Sequence, residues 1–141
     1  MKPAVLFLCS GNSCRSQMAE GWLRHLAGSR FEVISAGTNP VGVNPQAIDV
    51  MAEAGIDISL HRSKRVDEFL GRRPDYVITV CDRAKAACPT IPGGAKVVHW
   101  SFGDPSEAQG SDDDRVQVFR RVRDEIADSI RNWLRTEQSS R

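Results

Sequence analysis

Long apolar runs are missing from this sequence. The longest, Ala4 to Cys9, has six residues, far below the roughly 18 to 20 that span a bilayer and short even for a signal-peptide core. A soluble cytoplasmic protein is the expectation. Excess charge is missing too: nineteen Lys and Arg stand against eighteen Asp and Glu, a formal charge of +1. No bulk field therefore draws the chain to nucleic acid or an anionic membrane, and any anion it binds must be held by a local site. Cysteine is sparse at four in 141 residues, too few for a disulfide-dense secreted scaffold, which makes these thiols candidates for chemistry. Tyrosine occurs once, at Tyr76. What is present, 40% hydrophobic and 26% charged residues, suits one globular domain over 1–141, expected as a monomer, that buries about two-thirds of its unfolded surface.

Residues 4–9 read as a strand covered on both faces, running straight into the small polar stretch Ser10-Gly11-Asn12-Ser13. From Arg15 the spacing turns helical, with Met18, Ala19, Trp22, Leu23 and Leu26 on one face and an end near Gly28. A second strand is expected at 31–36. Asn44 as N-cap and Pro45 at the first helical position open a second helix that turns Ala47, Ile48, Met51 and Ala54 inward and closes at Gly55. A short helix is expected after Ser63, strands at 75–81 and 96–100, and a brief helix over 82–88. The last helix follows the N-cap candidates Ser111 to Asp113 and places Val116, Phe119, Val122, Ile126, Ile130, Trp133 and Leu134 at three- and four-residue steps, fraying over 138–141. Arg120, Arg121 and Arg123, interleaved with acidic residues, read as its solvated face. This alternation predicts an α/β domain: a parallel sheet of four strands, helices on both faces, and ligands beyond the strands' C-terminal ends, where Cys9, Cys81 and Trp100 fall.

The segment Cys9-Ser-Gly-Asn-Ser-Cys-Arg15 carries chemistry by its context more than its spacing. A loop between a strand end and a helix N-terminus can turn successive N–H groups toward one point, where the helix dipole favours negative charge. Gly11 and Asn12 tolerate the positive φ a curled loop needs. Such a loop, from Ser10 through Gly11, Asn12, Ser13 and Cys14 to Arg15 and Ser16, would bind a tetrahedral oxyanion. The same field favours Cys9 as a thiolate nucleophile. Arg15 offers a bidentate fork to two oxyanion oxygens, and Ser16 can hydrogen-bond the sulfur. Cys14 reads as packing or loop shaping. Asp104, in a loop past the fourth strand, is the candidate general acid.

Cys81 ends the third strand and Cys88 follows seven residues later. On a helix the two lie about 10 Å apart, beyond the reach of a disulfide. A bridge requires so short a helix to unwind at small cost, so a redox switch is permitted, and so are two ordinary buried thiols. Zinc is disfavoured, because the cysteine spacings do not match the tight pairs of zinc ribbons and the histidines stand apart.

The segments CSGNSCRSQMAEGW (9–22), SAG (35–37), GVNPQAIDVMAEAGIDIS (42–59), VITVCD (77–82) with Cys88-Pro89, HWSFGDP (99–105) and FRRVRDEI (119–126) resemble the thioredoxin-coupled arsenate reductases of the low-molecular-weight protein tyrosine phosphatase superfamily. The resemblance implies that fold and a relay: Cys9 attacks arsenate, Asp104 protonates the leaving oxygen, Cys81 attacks Cys9, and Cys88 attacks Cys81 to leave a disulfide for thioredoxin. It implies no tightly bound cofactor, with phosphate or sulfate as substrate analogues. Several such reductases hold potassium through residues matching Asn12, Glu20 and Ser35 and an aspartate at the position of Lys64; a cation in that place makes potassium doubtful here. The competing readings are a tyrosine phosphatase using only the loop and Asp104, and a non-enzymatic thiol or arsenical sensor. Against the phosphatase, Ser106 and Glu107 stand where the resembling phosphatases carry aromatic residues.

Overall fold

The computed structural model describes residues 2–69, 71–81 and 95–139, with residues 138 and 139 described by backbone alone. The helix expected over 82–88, and Cys88 with it, lie outside the described residues. The elements are β1 (Ala4–Cys9), α1 (Arg15–Ala27), β2 (Glu32–Gly37), α2 (Pro45–Glu53), a 3-10 turn (Val66–Phe69), β3 (Tyr76–Thr79), β4 (Lys96–His99), a second 3-10 turn (Pro105–Glu107) and α3 (Asp112–Ser139). The strands form one parallel sheet in the order β2-β1-β3-β4. The short helix expected after Ser63 is a single 3-10 turn, and α3 extends to Ser139, two residues into the stretch expected to fray.

Register decides what the strand ends offer. Cys9 pairs with Gly37, Leu8 with Thr79, and Thr79 with His99, so all four strands finish at one edge of the sheet, beneath the loop after β1. Five of the six β1 residues are buried, as its unbroken apolar run requires. On α3, Phe119, Val122, Ile126, Ile130 and Trp133 are buried as their spacing predicts. The Trp133 ring stands perpendicular to that of Tyr76 at 5.1 Å and lies 5.3 Å from Phe31, closing the core at the far end from the loop.

Three expectations need correction. Leu26 is 38% exposed: burial along α1 follows depth rather than face, with 16–23 enclosed all round and Arg24, His25 and Leu26 emerging in the last turn. On α2, Val50 and Met51 are fully buried while Ile48 and Ala54 are half-buried at the core edge; the cap works as expected, Asn44 Oδ1 accepting from the Gln46 N–H at 2.8 Å and Gly55 taking φ +81°. The arginine face of α3 is not merely solvated. Arg120 grips Glu53 with two hydrogen bonds of 2.9 and 2.8 Å, and Arg123 reaches both Glu53 (3.1 Å) and the Val50 carbonyl (2.9 Å), so α3 is fastened to the end of α2. The Arg120 contact holds the Glu53 carboxyl below its ordinary range.

Candidate active site

Where a loop's carbonyls go decides where its N–H groups point. Beyond β1, the carbonyls of Cys9, Ser10, Gly11 and Ser13 accept from the backbone N–H groups of Thr38 (3.3 Å), Asn39 (2.7 Å), Val41 (3.0 Å) and Asn44 (3.1 Å), and that of Cys14 from Met18 (2.9 Å). The Asn12 carbonyl accepts from Ser63 Oγ at 2.6 Å and Gln17 Nε2 at 3.2 Å. With every carbonyl from 9 to 14 turned outward, the amides are left to face inward. The N-terminus of α1 has no side-chain cap and no acidic residue in its first turn, so its positive end is available to an anion. Positive φ falls to Asn12 (+46°) and not, as expected, to Gly11 as well. Closeness is the demand at Gly37 instead, where a Cβ would meet Ser10 O at 2.6 Å; at Gly11 a Cβ would only press at 3.1 Å on Cγ2 of the exposed Val41.

Cys9 is buried, with its sulfur 3.2 Å from the Asn12 N–H and 2.9 Å from Ser16 Oγ. The buried Asn12 side chain fixes which way the serine hydrogen points. Its Oδ1 accepts from the Lys64 N–H (2.8 Å) and Gln17 Nε2 (3.0 Å), which assigns the amide, and its Nδ2 donates to Ser16 Oγ (2.8 Å) and Ser35 Oγ (3.0 Å). Ser16 therefore has its own hydrogen free to give to the sulfur. Ser35 in turn donates to Glu20 Oε1 at 2.5 Å.

Glu20, almost fully buried, has the Arg24 Nη2 at 2.7 Å and the Lys64 Nζ at 3.7 Å as its cations, with the His61 ring Nε2 also 3.7 Å away. Burial pushes the Lys64 ammonium down from its ordinary range against the opposing pull of Glu20. Burial likewise lowers His61, with Glu20 opposing and Arg24 and Lys64 reinforcing. Gln17 donates through Nε2 to three oxygens, those of Asn12 and the Arg62 carbonyl (2.9 Å), so its Oε1 accepts from His61 Nδ1 at 3.0 Å, and neutral His61 presents its Nε2 lone pair to Arg24 Nη1 at 3.2 Å.

Over the loop lies a cavity of about 230 Å³ reached by Cys9, Arg15, Asn39, Val41, Asp104 and Ser106, among others. A second of about 260 Å³ adjoins it, sharing Ser10, Arg15 and Asp104 and adding Cys81, Phe102 and Glu107. Arg15 is held by the Phe102 carbonyl (3.0 Å) and stands 3.6 Å from Asp104 Oδ2. Thus Cys9 at the end of β1, Arg15 at the start of α1, Cys81 just past β3 and Asp104 beyond β4 line two adjoining cavities at the sheet edge. Cys9, Cys14 and Cys81 are free thiols. Burial pushes the Cys14 thiol up to about 12, Ser13 opposing and Asp104 and Cys9 adding, so Cys14 stays protonated at neutral pH. His61, Ser63, Phe102 and the strap 38–44 carry no sign of the loop in the sequence because each reaches it from a distance, and Gln17, though only five residues from Asn12, reads as an ordinary polar residue of α1; the glycine ending β2 was the one local sign of close approach.

A thiol in an anion-accepting loop, with an arginine on the helix that follows and an aspartate across the cavity, defines an oxyanion-handling cysteine enzyme of the phosphatase type. The chain belongs to the low molecular weight phosphotyrosine protein phosphatase family, which it matches over residues 4–140. Within that frame it is 47% identical to the arsenate reductase of Halalkalibacterium halodurans over 96% of this chain and 97% of the relative. Among solved structures, the thioredoxin-dependent arsenate reductase of Corynebacterium glutamicum aligns with a TM-score of 0.77 and 32% identity over 99% of this chain and 64% of that longer one. An arsenate reductase in its phosphate-binding state aligns at 0.78 and 33%, covering 96% and 98% of the two chains. No helix among the described residues is long and apolar enough to cross a membrane.

Proposed function

We propose that this protein reduces arsenate to arsenite through Cys9, Cys81 and Cys88, with thioredoxin as the final reductant. The observation that carries the reading is Cys81: a hydrolytic phosphatase has no use for a second thiol, yet this one opens onto a cavity that shares Ser10, Arg15 and Asp104 with the cavity over Cys9. The relatives named above support it. Arsenate seats on the inward amides of 10–16 and the Arg15 fork. The Cys9 thiolate forms a bond to arsenic(V), and one As–O bond breaks as Asp104 gives its proton to the departing oxygen, which leaves as water. A Cys81 thiolate then attacks the Cys9 sulfur. The S–As pair passes to arsenic, which leaves as arsenite, reduced by two electrons, and a Cys9–Cys81 disulfide remains. Cys88, which enters on its place in the sequence, attacks Cys81 and frees Cys9, and a thioredoxin dithiol reduces Cys81–Cys88.

Potassium has no step in this scheme. Arg24 and Lys64 already flank both Glu20 oxygens and Asn12 Oδ1 already accepts two N–H groups, so the residues present do not fit a further cation; Lys64 supplies that charge in covalent form. The test is NADPH oxidation with arsenate, thioredoxin and thioredoxin reductase. Sustained turnover is expected, abolished in Cys9→Ser, while Cys88→Ser releases about one equivalent of arsenite and stalls as Cys9–Cys81. No turnover, with brisk hydrolysis of an aryl phosphate, replaces the proposal with the phosphatase reading.

A further inference from the structure

A general acid must present its proton on the correct oxygen, and the two carboxyl oxygens of Asp104 have unlike surroundings. Oδ1 accepts from both the Ser106 N–H (3.0 Å) and the Ser106 hydroxyl (2.7 Å). Oδ2 is 3.6 Å from Arg15 Nη2, beyond hydrogen-bond range. The N–H is fixed by the 3-10 turn that Asp104 caps and cannot turn away, so a proton on Oδ1 would oppose a donor. Oδ2 has no donor within hydrogen-bond range among the described residues, only the Arg15 guanidinium at ion-pair distance. Both residues line the cavity over Cys9, whereas Arg15 is anchored on the Phe102 carbonyl by its other nitrogen.

We infer that Ser106 is a positioning residue: its hydroxyl and N–H together clamp Asp104 Oδ1, hold the carboxyl over the Cys9 cavity, and consign the transferable proton to Oδ2. The inference rests on Asp104 being the general acid proposed above. As the S–As bond forms and the As–O bond breaks, the Oδ2 proton passes to the leaving oxygen, water departs, and Asp104 becomes a carboxylate whose Oδ1 already has its two donors; solvent returns the proton afterwards. The clamp thus holds the ionised product of each transfer as well as aiming the acid. Among the described residues, the titratable and charged groups about Asp104 are Arg15 from α1, Cys9 and Cys14 from the loop, Cys81 past β3, and Glu107 beside it on the same turn. Ser106 is the one that donates to it twice.

Ser106→Ala keeps the N–H and removes the hydroxyl. Measured with arsenate and the thioredoxin system, kcat on the pH plateau falls about fivefold to tenfold, the value of one hydrogen bond. The alkaline limb of the profile moves to higher pH, because the carboxylate has lost a donor that favoured its ionised form. Ser106→Thr, which keeps the hydroxyl, restores both features. A merely structural role would lower activity at every pH without moving the limb. Asp104→Asn is the control for the underlying reading and should lose most activity together with the limb. If Asp104→Asn is impaired while Ser106→Ala matches the parent in rate and profile, the clamp is overturned and the acid role stands. If Asp104→Asn turns over normally, the acid role falls and the clamp with it.

Discussion

Asn12 is where a single substitution tests the most of this architecture. Its side chain makes four hydrogen bonds of 2.8 to 3.0 Å in full burial, and its φ is +46°. Asn12→Ala leaves the Lys64 N–H without its acceptor, at about 2 kcal/mol for a buried donor. Gln17 Nε2 keeps two other oxygens, and Ser16 and Ser35 keep bonds through their own hydrogens, so their loss with the small void adds about 1 kcal/mol. The left-handed backbone adds about 1 kcal/mol more once a Cβ lacks the Asn side chain's local bonds. The sum is about 4 kcal/mol, which in urea, at about 2 kcal/mol per M for a chain of this size, lowers the midpoint by about 2 M. Asn12→Gly loses the same hydrogen bonds but no left-handed penalty, and should recover about 0.5 to 1 kcal/mol relative to Ala. Urea unfolding followed by tryptophan fluorescence gives both numbers. Two variants within about 1 kcal/mol of the parent would show that the loop does not depend on this junction, and Gly less stable than Ala would refute the backbone argument.

Two further outcomes concern the charges behind the loop. Arsenate turnover should be equal in potassium and sodium salts at matched ionic strength, with Lys64→Asp introducing potassium stimulation; clear potassium activation of the unmodified chain would defeat the role given to Lys64. His61, held below its ordinary range by burial, resists a proton that the unfolded chain accepts near pH 6.5, so the stability tied to its neutral form is complete above that pH and declines as pH falls through it. Unfolding titrations between pH 7.5 and 5.5 should show this slope in the parent and a flatter one in His61→Gln; equal slopes would mean that His61 is not held neutral.

The parts of the site that could be read from the sequence are those built by neighbours in the chain. Cys9, Ser16 and Arg15 fall together because one strand, one loop and one helix follow in order, and the apolar run of β1 with the periodic stripe of α1 declares both. Asp104 and Cys81 were reachable through topology: parallel strands finish at one edge, and both residues lie just past such ends. What stayed hidden acts over long separations. Ser63 meets Asn12 across 51 residues, and nothing in a surface-like turn of hydroxyl and cation announces that its hydroxyl will complete a buried loop; Lys64, set beside Asn12 and Glu20 by the family resemblance and not by local pattern, adds its N–H across 52. Arg123 misled for the opposite reason: it does bond its acidic helical neighbour Asp124 (2.8 Å), but it also reaches Glu53 and Val50 O about 70 positions away. Leu26 obeyed its period but lay past the depth at which α1 is enclosed. Periodicity reports which face can be buried, and only the tertiary arrangement sets how far along a helix burial extends.

The direction of every hydrogen between Glu20 and Cys9 follows from one end of that chain. A carboxylate only accepts, so Ser35 must spend its hydrogen on Glu20 Oε1. Ser35 Oγ is then an acceptor toward Asn12, whose Oδ1 is already committed to Lys64 N and Gln17 Nε2; the amide can only donate, and it does so to both serines. Ser16 is an acceptor in turn, and its remaining hydrogen faces the Cys9 sulfur at 2.9 Å. Were Glu20 neutral and donating, Ser35 could turn its hydrogen toward Asn12 Nδ2, the two donors would oppose each other, and the orientation that delivers a hydrogen to sulfur would lose its support. Arg24 meets the carboxylate at Oε2 (2.7 Å), and Lys64 Nζ stands 3.7 Å from Oε1, too far to displace Ser35 from that oxygen. The groups behind the loop thus serve the nucleophile in front of it through geometry, with an accepting carboxylate at the head of a chain that has only one consistent direction.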